Sequence, residues 1–486
     1  MLKKWKTIRL LLSVLCICTM VITVVGCGGT KYIESEITSE IDVPGVNGED
    51  GSSGDNGEST DGKSSTPGKT NNGGSAGKGN TSTAGNNGTT GNSGTNADTI
   101  GKTLKGTTVN ILVWYDVPKA EQSVIDAFTK KTGIKVKFIK VAQKNYLTTL
   151  ASRVGSGASP DLACIIGDTY PTPIVRGLFS ELDTKYFNHN NSAYAKDVMD
   201  AYKWQGKYYT VAYKGSMMGD MYCVYFNKDM FEEKGVETPY EIWKRNPDEW
   251  TWSKFTELAD QMTYKTSDDQ QIFGVSIAYP QAVMLSYGTD LIKLTNDGLA
   301  NNMSDTKLKD AWKTINRLKT SQKMMRDNAH QNDLINKKVA MHVNGQWLMQ
   351  KASAYSTGMK EAWGVAPFPK QDGGEYYVPF RGTMWGVPKN AKNVEGAAAC
   401  LDYWLNPVNA ESEVYASKEC KEVHEWLWNQ KKMPLISEGI VNFRKAGNSA
   451  TIYGELMTGE NAVDTTLAKY SSTIDQSISY AMDSKN

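Results

Sequence analysis

"TVNILVWYDVPKAEQSVIDAFTKKTGIKVKFIKV", residues 108–141, carries two different periods in one stretch. It opens as an apolar run of β-branched and aromatic side chains that stops at Asp116 and Pro118, the mark of a buried strand. From Lys119 the period changes. Val124, Ile125 and Phe128 share one face of a helix, and Gly133 stands where a C-terminal cap belongs. Residues 134–141 then alternate apolar and charged side chains with period two. Strand, helix, strand at this spacing predicts a βαβ crossover, and such a crossover joins parallel neighbours. Residues 146–183 repeat the scheme with a helix, a loop at Pro160, an apolar strand at Leu162–Ile166 and polar residues at its carboxyl end. In open α/β sheets, ligands bind outside those carboxyl ends.

Ahead of this stretch the chain has another character. Lys3, Lys4, Lys6 and Arg9 precede an uncharged apolar run that ends Val24-Val25-Gly26-Cys27, the layout of a secretory signal. Its ending resembles the bacterial lipobox, whose Cys is acylated; a plain membrane anchor is the other reading. Residues 28–106 are mostly Gly, Ser, Thr, Asn and Asp, too polar to offset their ordering entropy. They predict a tether reaching on the order of 50 Å. Within it, Gly57–Ser64 spells a P-loop, but no strand precedes it and no helix follows, so it reads as chance. The remaining 107–486, about 380 residues, suffice for two lobes. Removing the four signal cations takes the net charge from +1 to −3 (+1 − 4), which points to neither nucleic acid nor an anionic surface. Cys164 and Cys223 read as small buried hydrophobes, and a Cys400–Cys420 disulfide is possible in an oxidising compartment.

Several blocks together resemble a known family. "FTKKTGIKVKF" (128–138), "PDLACIIGDTYPTPIVRGLFSEL" (160–182), "VYFNKDMFEEKGVETP" (224–239), "EWTWSKFTELADQMT" (249–263), "VAMHVNGQWLM" (339–349), "WGVAPFPKQDGGEYYVPFRGTMWGVPKNAKNVEGAAACLDYW" (363–404) and "GENAVDTTLAKY" (459–470) follow the order of the extracellular solute-binding proteins of ABC importers. The similarity is to the sugar-binding branch that includes maltose-binding protein. It implies an α/β, type II periplasmic-binding-protein-like fold with a ligand cleft between two lobes joined by a multi-segment hinge. On that pattern lobe one takes 107–211 plus 388–432, and lobe two takes 212–387 plus 433–486. Closure would be a hinge motion.

A sugar needs flat aromatic surfaces for its C–H face and fixed polar groups for its hydroxyls. The resemblance sets Asp168 where the family has a carboxylate on sugar hydroxyls; a helix cap is the alternative. Ile165 and Thr169 depart from the maltodextrin pattern, which has an aromatic and an arginine there. Tyr115 and Asp116 end the first strand, where the family's polar residues reach ligand, although a capped turn reads as well. Tyr213 and Lys214 fall at one hinge crossing, and Lys214 stands where a Glu is found. Tyr279 lies in a loop after a strand; Arg381 and Trp385 span a second crossing, where Trp385 could equally be core. Asn344-Gly345 reads as a turn, and the resemblance aligns Trp347 with a Trp that stacks on sugar. Trp252, Phe255, Leu258 and Met262 share a helical face and read as core.

The histidines are scattered, no H-E-x-x-H or C-x-x-C motif occurs, and residues 107–486 hold no G-x-S-x-G elbow. No cofactor, no metal and no catalytic residue is expected. The resemblance implies a monomeric receptor, lipid-anchored through Cys27 on the outer face of the cell membrane. It would capture a carbohydrate, an oligosaccharide by preference, for the permease subunits of an importer. An anionic or non-sugar solute, countered by Lys214 and Arg381, is the alternative ligand; a surface sensor or adhesin is the alternative role.

Overall fold

The computed structural model describes residues 103–117, 119–216, 219–405, 415–442 and 448–483. The signal with Cys27, the P-loop-like octet and the tether up to residue 102 lie outside them. The opening stretch folds as its periods require. Strands β1 (Thr108–Val113) and β2 (Lys135–Lys140) pair in parallel, Ile111 opposite Phe138. The helix Lys119–Thr132 between them buries Ile125 and Phe128. Gly133, at φ 72°, donates its N–H to the Thr129 carbonyl, a left-handed cap that glycine tolerates without cost. Strand β3 (Leu162–Ile165) extends β1 on its other edge, again in parallel. Buried Asp161 ties this sheet to the returning chain by accepting the N–H groups of Asn110 (2.8 Å), Lys392 (3.0 Å) and Asn393 (2.9 Å).

The second lobe is built on a larger sheet. Its strands are β4 (Gly219–Asn227), β5 (Tyr264–Lys265), β6 (Gln271–Ile277), β9 (Met325–Arg326), β10 (Val339–Gly345), β11 (Trp363–Pro367), β12 (Tyr377–Gly382) and β14 (Lys431–Pro434). The path runs β14-β12-β4-β10-β6-β5, with β11 also on β4 and β9 on β6. The remaining strands are a separate hairpin, β7 (Ile292–Thr295) with β8 (Gly298–Asn301), and β13 (Met384–Gly386), which returns to the first sheet. Trp252 is core, as its helical face indicated, and its indole N–H donates to Ser286 Oγ at 2.9 Å.

Among the described residues the chain passes between the sheets three times, and two expected boundaries move. The first crossing lies between Val211, bridged to Trp385, and β4. The second is at Thr383, because β13 pairs with β3, so lobe one resumes ahead of the boundary expected at 387. The third follows Trp404. The helix Lys418–Trp428, expected in lobe one, packs on the second sheet, with Trp426 edge-on to Trp243 at 5.3 Å and Glu422 accepting from Tyr240 Oη at 2.8 Å. An amphipathic helix reads alike whichever sheet it covers, so its pattern could not decide this.

Cys164, Cys223, Cys400 and Cys420 are free buried thiols, so the possible Cys400–Cys420 bridge is not formed. Cys400 lies on the helix Val394–Trp404 and Cys420 on the helix that covers the other sheet. Asn344-Gly345 is not a turn either. Both residues finish β10, Gly345 is extended at φ −83°, and the chain turns only at Gln346–Met349. Among the described residues, no helix is long and apolar enough to cross a membrane.

Candidate ligand-binding site

Strand directions bring one set of side chains to a common edge. β10 runs parallel to β6 and antiparallel to β4, so the carboxyl ends of β6 and β10 meet the amino end of β4. Tyr279 follows β6, Trp347 follows β10, and Tyr222 on β4 lies opposite Gly345. β12, antiparallel to β4, sets Arg381 opposite Asp220. Lobe one contributes the turn Gly167–Thr169 after β3. A Cβ on Gly167 would lie 2.7 Å from the Arg381 backbone, so glycine allows the approach that brings Asp168 to Arg381. Gly345 serves Trp347 likewise: a Cβ there would come within 1.8 Å of the indole ring.

The aromatic part is a corner. Tyr279 meets Trp347 edge to face, centroids 5.9 Å apart, and Tyr222 at 5.0 Å. Trp347 is half-buried, which leaves part of its indole uncovered. The Arg381 guanidinium lies 5.6 Å from the Tyr279 ring centre. Tyr222 is fully buried, and its hydroxyl has no hydrogen-bond partner.

The charged part is an ion pair inside an acidic surround. Arg381 donates from Nε (2.7 Å) and Nη2 (2.6 Å) to the same oxygen, Oδ2 of Asp220. Their side chains are only 7% and 10% exposed. Burial pushes the Asp220 carboxyl up while Arg381 pulls it down. Glu438 enters from the short helix Ser437–Val441, whose start is fixed by buried Asp290. Asp290 accepts from the N–H of Ile436 (2.7 Å), the N–H of Ser437 (2.9 Å) and Ser437 Oγ (2.6 Å). Glu438 accepts from Gln281 Nε2 at 2.9 Å, and burial, opposed by Arg381, pushes its carboxyl up to about 7.

Of the residues singled out from sequence, Asp168, Tyr279, Trp347 and Arg381 come together here. The others do not join them. Asp116 is exposed and paired with Lys140 at 2.5 Å. Asp116→Asn is therefore expected to shift stability by less than about 1 kcal/mol, read as an almost unchanged thermal midpoint. Tyr115 packs edge-on to Trp114, its buried hydroxyl unpartnered beside Glu121. Tyr213 is buried at the first crossing, where it and Tyr194 both donate to Asp402 Oδ1. Trp385 is 2% exposed and packed on Trp404 at 5.1 Å, and with Tyr213 it lines a small hollow at the hinge. Lys214 is exposed, its backbone N–H bonded to the Ala193 carbonyl. Sequence reasoning missed Asp220, Tyr222, Gln281 and Glu438. The available signal was a carboxylate inside an apolar run, as in "GDMYCVYF" (219–226) and "LISEGIV" (435–441).

A search of curated protein sequences finds no match. Among solved structures, an ABC substrate-binding protein from Listeria monocytogenes in complex with cycloalternan is 18% identical, with TM-score 0.55 over 77% of this chain and 99% of its own. The cyclic α-maltosyl-1,6-maltose binding protein from Arthrobacter globiformis is 14% identical, with TM-score 0.59 over 78% and 100%. The galacto-N-biose-/lacto-N-biose I-binding protein of the ABC transporter from Bifidobacterium longum, in complex with lacto-N-biose, is 16% identical, with TM-score 0.59 over 77% and 98%. At such identities the likeness is one of fold, and it establishes the two-lobe α/β architecture. The model of the bacterial extracellular solute-binding proteins matches residues 123–416, more than half of the chain, and the chain belongs to that family.

Proposed function

We propose that this protein is the lipid-anchored receptor of an ABC importer, holding an oligosaccharide between its lobes and presenting it to the permease subunits. The observation that carries the reading is the Trp347–Tyr279 corner beside Asp168 and the orphan hydroxyl of Tyr222. A partly exposed indole suits the C–H face of a sugar ring, and the polar groups beside it suit hydroxyls. The structural neighbours add support, since several were solved with saccharides bound. The anchor rests on Cys27 and the tether on residues 28–106. Binding proceeds without chemistry; Asp220 is engaged in an ion pair and Glu438 in a hydrogen bond. An anionic ligand is the weaker reading, because Asp220 already occupies Arg381 and Lys214 is not in the cluster.

Thermal-shift titration of the purified chain with neutral oligosaccharides tests the proposal. A midpoint that rises with sugar concentration is expected, and the absence of any shift across the panel would count against it. Trp347→Ala is expected to leave folding nearly intact and weaken sugar binding by about 1–3 kcal/mol, measured by titration calorimetry. If that substitution instead unfolds the domain, the indole was serving the core.

A further inference from the structure

The polar groups of the site are unbalanced in charge. Asp168, Asp220 and Glu438 stand against one cation, Arg381, and both nitrogens that Arg381 donates go to a single Asp220 oxygen. Arg381 pulls the Glu438 carboxyl down, but the other groups that face it do not relieve the imbalance. Asp168 comes from the turn after β3, Asp220 from β4, Asp290 from the chain ahead of β7, and Tyr453 from the helix Ser449–Thr458. Gln281, its hydrogen-bond donor, is neutral. An independent observation marks the place as one that receives a ligand. The hydroxyl of fully buried Tyr222 has no partner, and the charges that act on it are those of Arg381, Asp220, Tyr279 and Glu438. A third is the Trp347 indole, partly exposed, whose face attracts cations as well as sugar C–H groups.

We infer, on the carbohydrate reading above, that this site sorts saccharides by charge: one bearing an ammonium group binds more tightly than its neutral counterpart, and one bearing a carboxylate or sulfate is rejected. The ammonium N–H groups donate to Asp168 and Glu438 while the ring lies on Trp347, and the Tyr222 oxygen takes a further N–H or a sugar hydroxyl. An anionic group in the same place meets carboxylates with no unpaired cation among them. Arrival of an ammonium also changes Glu438. Burial leaves this carboxyl partly protonated near neutral pH, and a cation beside it favours the ionised form, so its proton passes to the solvent. A neutral sugar brings no charge and releases no proton.

The test is titration calorimetry of the full chain near neutral pH, in buffers of differing ionisation enthalpy. The probes are maltotriose, cellotriose and mannotriose, each as the neutral sugar, with one hydroxyl replaced by an amine, and with one CH2OH oxidised to a carboxylate. On whichever skeleton binds, the amine is expected to be about tenfold tighter than the neutral sugar and the carboxylate at least about tenfold weaker. Proton release accompanies the amine alone. Glu438→Gln, checked for folding by circular dichroism, removes that release, and Asp168→Asn narrows the amine's advantage. Equal affinities for amine and neutral sugar, or a carboxylate that binds as well as the neutral form, overturn the inference and leave the carbohydrate reading standing. If no saccharide binds in any form, both are overturned.

Discussion

Arg381→Ala is expected to destabilise the chain by about 3–5 kcal/mol, seen as a lower urea midpoint with an unchanged slope. The substitution removes the only side chain that, among the described residues, donates to Asp220, and leaves that carboxylate in a site where it is 10% exposed. Burial already pushes Asp220 upward with Arg381 present. Without it, the group must either take up a proton or stay charged in a poorly solvated place, and each costs stability. Lysine should rescue only in part, because it cannot reproduce the two donors of the guanidinium. Replacing both partners, as Arg381→Met with Asp220→Leu, should recover most of the loss, since the expense lies in the unpaired charge more than in the missing pair. A single substitution costing less than about 1 kcal/mol would mean that Asp220 is solvated in solution.

Much of this could be read in advance, and the limits have physical causes. The first βαβ unit is legible because period two and period 3.6 are local properties of the chain. Asp168 is legible because a polar residue directly after a buried strand must emerge at the carboxyl edge. Asp220 and Glu438 are not legible. Each is an acid in an apolar segment, and only the pairing of β12 with β4 and the docking of the helix Ser437–Val441 supply their neighbours. Those contacts join residues far apart in sequence, as Arg381 and Asp220 are, 161 positions from one another. Asn344-Gly345 misleads for a different reason. The dipeptide usually signals a tight turn, but here glycine is required for the room it gives the Trp347 ring, and the backbone remains extended. The hinge residues share this difficulty. An aromatic at a crossing can face a cleft or pack inward, and Trp385 packs inward against Trp404.

His342→Gln should lose its disadvantage against the wild type as the solution is acidified, by about 2 kcal/mol between pH 7 and pH 5. His342 is fully buried between Ser276 Oγ (2.7 Å, at Nδ1) and Asn344 Nδ2 (3.1 Å, at Nε2), and burial pulls its pKa from 6.5 down to about 3. The folded chain therefore keeps this imidazole neutral. The unfolded chain protonates it below about 6.5, so proton uptake favours the unfolded state over the window from about 6.5 to about 3. The stabilisation is complete above that window and is lost as pH falls through it. A glutamine does not titrate, and comparing the two proteins at each pH cancels every other ionisable group. His424 gives an independent repeat, buried between Tyr415 and the Trp428 N–H and likewise lowered to about 3. Glu121 supplies the opposite sign. Burial raises it to about 7, so its contribution is present below about 4.5 and is lost as pH rises through 7. Glu121→Gln should then lose about 2 kcal/mol against the wild type over the same acidification. Urea unfolding of the wild type, His342→Gln, His424→Gln and Glu121→Gln at both pH values measures all of these differences. Parallel curves for His342→Gln and the wild type would show that the imidazole reaches water in the folded state.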